Sequence, residues 1–154
     1  KVDRILVVDA LSFYSLLFGP QATPAMAKPQ AELMRTQTIA MADAQFAAGQ
    51  DQTMAMMVKT ESARAAPKDW SLKSDRKVIA QAMYDAMLED ARPLLPAIKA
   101  KATMNRPASM LDGMYSSAYA GLAGAKLVRI DGGFHFIQLD QPERFAKEVE
   151  TFLK

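Results

Sequence analysis

The sequence predicts an α/β domain with a long helical insertion, on three observations. Two short apolar runs rich in β-branched residues, "RILVVD" at 4–9 and "AKLVRID" at 125–131, lie near opposite ends of the chain. Between them, from about Ala25 to Ala91, the chain is alanine- and methionine-rich with repeated helix signals. It closes on "DQPERFAKEVETFLK", which carries the marks of an amphipathic helix. Runs that are apolar on both faces suit a parallel sheet covered on both sides, and strands alternating with helices suit an α/β sheet.

Each element follows from its residues. After the first run, "SFYSLLFGPQATP" is an aromatic loop broken by Gly19, Pro20 and Pro24. "AKPQAELMRTQTIAMADAQFAAG" predicts a helix with apolar positions at Leu33, Met34, Ile39 and Met41 that stops at Gly49. Asp51 is placed to cap a short helix, "QTMAMMVKT", and Pro67 reads as a first-turn proline leading to Trp70. "DRKVIAQAMYDAML" sets Val78, Ala82, Met83, Ala86 and Met87 along one stripe and ends before Pro93 and Pro96. "KAKATMNRPAS" occupies the place of a further strand but is short, polar and closed by proline, a weak strand. Ser109 and Asp112 are spaced as a capping box for a short helix. Gly132 and Gly133 follow the second strong strand and lead to His135, the only histidine. In the last helix Asp140 is the expected cap, Pro142 falls early in the first turn, and Phe145, Val149, Phe152 and Leu153 form the expected buried face. The helical insertion is expected to cover the carboxyl edge of the sheet, where α/β proteins place ligands.

Composition narrows the function classes. A chain of 154 residues is one domain's worth and buries about two-thirds of its unfolded surface. Half the residues are hydrophobic and 23% are charged, as in a soluble globular protein. A net charge of +2 on scattered Lys and Arg gives no reason to expect nucleic acid or an anionic membrane as partner. No apolar run approaches the roughly 20 residues of a membrane span, and Asp3 and Asp9 interrupt the apolar opening. Without cysteine there is no disulfide, thiolate nucleophile or Cys-based metal site. One histidine also argues against zinc, so neither metal nor cofactor is expected. The compartment stays open. Eleven methionines, mostly between Met26 and Met114, suit either a loosely specified helical core or an adaptable apolar pocket.

A lone histidine is by default a satisfied structural ring, and its flanks here say otherwise. The segment "AKLVRIDGGFHFIQLDQPERFAKEVETFL", Ala125 to Leu153, resembles the end of an α/β-hydrolase. In that family the last core strand is followed by a Gly-rich or polar turn, the catalytic histidine and a P-x-x-F helix. "KVDRILVVDAL" looks like the strand that follows the nucleophile helix. The resemblance thus makes residues 1–10 a core strand, 11–97 a helical cap or lid, and 98–154 a C-terminal core with the histidine loop and terminal helix. It covers essentially the whole chain and the C-terminal half of the family's fold.

The resemblance implies a hydrolase working by nucleophile, acid and histidine in that chain order. His135 is then the general acid/base, and an acid fixes its tautomer. Ester cleavage on a small hydrophobic substrate is the expected activity, although amide, lactone, epoxide, haloalkane or carbon–carbon cleavage would reuse the same histidine. Two departures stand out. No G-x-S-x-G occurs, so the nucleophile is expected outside these residues, in an N-terminal half or a partner chain. The family's usual place for the acid, between Ile98 and Met110, holds no Asp or Glu. Asp112 is the nearest acid in the right order and takes the role, although a helix cap is its other reading. Asp9 is the runner-up: it closes the first strand, where some hydrolases of this fold carry their acid, but such an aspartate often only bonds nearby amides. Asp131 and Asp140 flank the histidine too closely. Phe13, Tyr14, Phe18, Met54, Met57 and Trp70 form a candidate apolar pocket as a set, although each taken singly reads as core before pocket. The rival from another class is a non-catalytic helical interaction module, with 25–91 binding a partner and His135 vestigial.

Overall fold

A computed structural model describes residues 2–107 and 112–154, with the side chains of Arg106 and Asp112 outside that description. In chain order the elements are β1 (Arg4–Val8), α1 (Pro24–Ala40), α2 (Asp43–Met57), α3 (Ala65–Lys73), α4 (Arg76–Leu88), β2 (Lys101–Pro107), α5 (Asp112–Ala118), β3 (Lys126–Ile130), α6 (Ile137–Asp140) and α7 (Pro142–Leu153), with short 3-10 turns at Tyr14–Phe18, Glu61–Ala63 and Arg92–Ala97. The three strands form a parallel sheet in the order β1-β2-β3, with Val8 opposite Asn105 and Asn105 opposite Val128. The α/β expectation holds: four helices cross over between β1 and β2, and α5 crosses between β2 and β3.

Alternation along the strands splits the apolar side chains into two layers. One face carries Ile5, Val7, Ala102, Met104 and Leu127, packed against Phe13, Leu16, Leu95, Ala118, Tyr119 and Leu122. The other presents Val8, Val128 and Ile130 to Ile137 and Phe145 of the C-terminal helices. The weak strand is the centre of the sheet. Ala102, Met104 and Asn105 are all buried, and Pro107 is tolerated because it is the last residue of the strand.

The helical crossover departs from expectation in its breaks and faces. Helix α1 starts on Thr23, whose Oγ1 accepts from Met26 N–H at 3.3 Å, with Pro24 at its first position. It stops at Ala40, because Met41 and Ala42 are extended. The Arg76 guanidinium donates across this break to the Met41 carbonyl and the Asp43 carboxylate. Gly49 is therefore inside α2 and is no C-cap, and Asp51 lies within the same helix and starts none. Asp75 caps α4, its carboxylate accepting from Lys77 N–H at 2.7 Å. Helices α1 and α4 pack along each other, and their buried residues are Ala27 and Ala31 on α1 and Ala80 and Met87 on α4. The inward face of α4 is thus Ala80, Met83, Tyr84 and Met87, whereas Val78, Ala82 and Ala86 of the expected stripe are exposed. Leu33 and Ile39 of α1 are exposed as well. Close approach selects alanine for the contact and turns the larger side chains outward.

Helix α7 begins at Pro142 as expected, but its N-cap is Gln141 and not Asp140, which ends α6. Phe145, Val149 and Phe152 are half-buried and Leu153 is exposed, so three of the four expected face residues point inward.

Candidate active site

The carboxyl ends of β1 and β3 deliver the candidate residues. Just past Val8 the backbone turns sharply, with Asp9 in the left-handed region at φ 44°. Aspartate is among the few residues that tolerate this conformation. Asp9 N–H donates to the Asn105 carbonyl at 2.7 Å, which ties the turn to the central strand. From α5, the Tyr115 hydroxyl donates to Asp9 Oδ1. The Tyr119 hydroxyl, just past α5, donates to the Ala10 carbonyl at 2.8 Å. Burial pushes the Tyr119 phenol up to about 12, so it stays a donor throughout the neutral range.

His135 arrives from the other side. Beyond β3 the chain reverses at Gly132, φ +87°, where a Cβ would lie 2.8 Å from the Gln141 side-chain nitrogen. Only glycine meets both conditions at no cost. Two residues after Gly133 the imidazole Nδ1 lies 2.8 Å from Asp9 Oδ2. The Asp9 side chain is 8% exposed and that of His135 45%. An ionised carboxylate can only accept, so Nδ1 carries the proton and Nε2 is left as an acceptor. The His135 ring also meets Phe136 edge-on, with centroids 5.1 Å apart. Asp9, the runner-up by sequence, is thus the acid in contact with the histidine.

The other carboxylates are placed differently. Asp112 is the first residue of α5, and its side chain, like Ser109 of the expected capping box, lies outside the described residues. Asp131 pairs with Arg129 at 2.6 Å on the surface. Asp140 is buried, and its carboxylate accepts from the backbone N–H groups of Lys59 at 3.1 Å, Thr60 at 2.8 Å and Phe134 at 2.8 Å. Burial raises the Asp140 carboxyl, and the bonds from Phe134, Thr60 and Lys59 outweigh it, so the group lies below the usual carboxylate range. Sequence reasoning read Asp140 as a local cap because its partners, at 59 and 60, lie in the distant turn after α2.

The expected apolar pocket does not assemble as a set. Phe13 and Met54 are core, Met57 and Tyr14 are half-buried, and Trp70 is 60% exposed. Phe18 lines a cavity of about 570 Å³ with Pro20, Ala22, Met26 and Gln30. Among the described residues no cluster of three His, Asp or Glu could hold a metal ion, and no helix is long and apolar enough to cross a membrane. Asn105 is fully buried beside the Asp9 turn, and neither atom of its side-chain amide has a hydrogen-bond partner among the described residues.

No family model and no curated protein matches the sequence. Solved structures do match. The chain superposes on an esterase from Exiguobacterium antarcticum with a TM-score of 0.79 and 14% identity, covering 99% of this chain and 57% of that one. An enol-lactonase from Burkholderia xenovorans LB400 gives 0.72 and 18%, covering 99% and 56%. A thermophilic esterase from Thermogutta terrifontis gives 0.71 and 16%, covering 97% and 55%. This chain therefore spans little more than half the length of the structures it resembles, and over that span it has the fold of the α/β-hydrolases.

Proposed function

We propose that this chain contributes the histidine and acid of a triad that hydrolyses an ester of a small hydrophobic compound. His135 is the general acid/base and Asp9 its orienting acid, in place of Asp112. Residues 11–97 form the cap, and the nucleophile comes from polypeptide outside these residues, an N-terminal portion or a partner chain. The observation that carries this reading is the 2.8 Å contact from Nδ1 of His135 to Asp9, which joins turns 126 residues apart at the carboxyl ends of parallel strands. The resemblance to esterases and a lactonase supports hydrolase chemistry at the level of fold.

In this reading the nucleophile's hydroxyl gives its proton to Nε2 as its oxygen attacks the ester carbonyl. The imidazolium, held by Asp9, then passes that proton to the departing alkoxide. Water enters, loses a proton to Nε2, and releases the acid as the proton returns to the nucleophile.

The test uses the polypeptide that unites these residues with a nucleophile. Intact mass and a serine-directed fluorophosphonate probe first establish that such a species exists, and turnover of p-nitrophenyl esters is then compared among variants. His135→Ala and Asp9→Asn each lower kcat by about 10⁴-fold, and Asp112→Asn leaves it within about twofold. The opposite ranking of the two aspartates returns the acid to Asp112. Unchanged turnover in His135→Ala, or no labelled species at all, overturns the triad and leaves the interaction module.

A further inference from the structure

We infer that Asp140 is a positioning residue for His135, holding the histidine loop against the turn that follows α2. The inference rests on the reading of His135 and Asp9 as a functional pair. Lys59 and Phe134 both donate to Oδ2 and Thr60 donates to Oδ1, so one carboxylate joins two segments far apart in sequence. A return bond runs beside it, Phe136 N–H donating to the Met57 carbonyl at 3.0 Å. His135 lies between the two residues that make these bonds, Phe134 and Phe136. Its backbone is therefore pinned on both sides to residues 57–60, while its ring meets Asp9. Gly133 fits the same geometry, since a Cβ there would lie 3.3 Å from Asp140 Cβ. Three N–H donors on one carboxylate make a rigid, charge-assisted junction, and a loop positioned through its backbone keeps its side chain in register.

This junction also gives the crossover a physical line to the catalytic ring. A displacement of residues 57–60 moves the backbone of Phe134 and Phe136 with it, and so reaches the Nδ1 bond of His135. Asp140 touches no reacting atom in this scheme and acts through the loop.

The lone histidine makes the test direct. In the polypeptide that unites these residues with a nucleophile, ¹⁵N-labelled over these 154 residues alone, a long-range imidazole correlation reads the His135 tautomer with no competing signal. The native chain shows the Nδ1–H form; any other tautomer overturns the Asp9–His135 reading itself, whatever Asp140 does. With the native signal in hand, Asp140→Ala is expected to release the ring to the tautomer mixture of a free histidine. Asp140→Glu is expected to restore part of the native form, and Asp131→Ala, on the surface, to leave it intact. Where Asp140→Ala fails to fold, Thr60→Pro decides: φ at Thr60 is −71°, so proline fits and deletes one of the three N–H donors. A native tautomer in folded Asp140→Ala, or in Thr60→Pro when that variant decides, overturns the inference.

Discussion

Two turns at the carboxyl end of the sheet each bury an aspartate, and the two carboxylates are used in opposite ways. Asp9 follows β1 and presents Oδ2 to an imidazole that is itself half open to solvent. Asp140, in α6 next to the histidine loop, takes three backbone N–H groups. Nearness in sequence to the histidine therefore does not decide which of these two acids meets the ring. Asp9 has an oxygen directed at the ring, whereas Asp140 has its oxygens filled by the main chain. An acid saturated by amide N–H groups fixes architecture, whereas one with an oxygen directed at a titratable ring can serve chemistry.

That contrast can be broken at the Asp140 turn first. Asp140→Ala leaves three part-buried N–H groups without their acceptor and is expected to cost about 2 to 3 kcal/mol in urea unfolding. Because the folded carboxyl lies below its ordinary range, its contribution is complete above that range and fades as pH falls through the folded value. The difference between native and variant proteins should accordingly narrow in acid; a constant gap from pH 7 to pH 3 contradicts the clamp. Gly132→Ala comes next, at about 2 kcal/mol, since it forces a left-handed Cβ toward Gln141. Gln141→Ala in the same background should recover the part due to collision and leave the part due to φ.

On the Asp9 side, Tyr115→Phe removes a hydroxyl donor from Oδ1 and should cost about 1 kcal/mol, with the His135 tautomer less sharply defined. The smallest effect has the opposite sign. Asn105→Val replaces a buried amide that has no partner among the described residues by a β-branched side chain between Val8 and Val128, and thermal unfolding should shift upward by the equivalent of about 1 kcal/mol. A drop in stability would mean that Asn105 has a structural role of its own beside Asp9.

The same residues explain how far the sequence could be read. β1 and β3 were legible because "RILVV" and "KLVRI" carry β-branched apolar residues in short runs. β2 was nearly illegible, since Lys101, Asn105, Arg106 and Pro107 are unusual in a central strand, and what places it there is two flanking strands rather than its own propensity. The α1–α2 break escaped notice because no glycine or proline marks it; Arg76, more than thirty residues on, holds the two extended residues in place. Local flanks were enough to single out His135, and Asp9 remained one of two candidate acids. The contact of Asp9 with the ring depends on where the strand ends lie in the folded sheet, which no spacing in the chain encodes.

Placing four helices between two neighbouring strands has a kinetic consequence. Joining β1 to β2 before those helices form means closing a loop of roughly ninety flexible residues, at an entropic cost of about 4 kcal/mol from the length-dependent part alone. Packing α1 on α4 first shortens the effective tether, and the β2–α5–β3 unit can assemble from nearer neighbours. The Asp9 turn is then the last piece to dock, carried in with β1. In a folding experiment the contact between Asp9 and His135 should appear in the slowest phase, after most of the helical signal has been recovered, so the site would be born with the completed sheet and lost at its first opening.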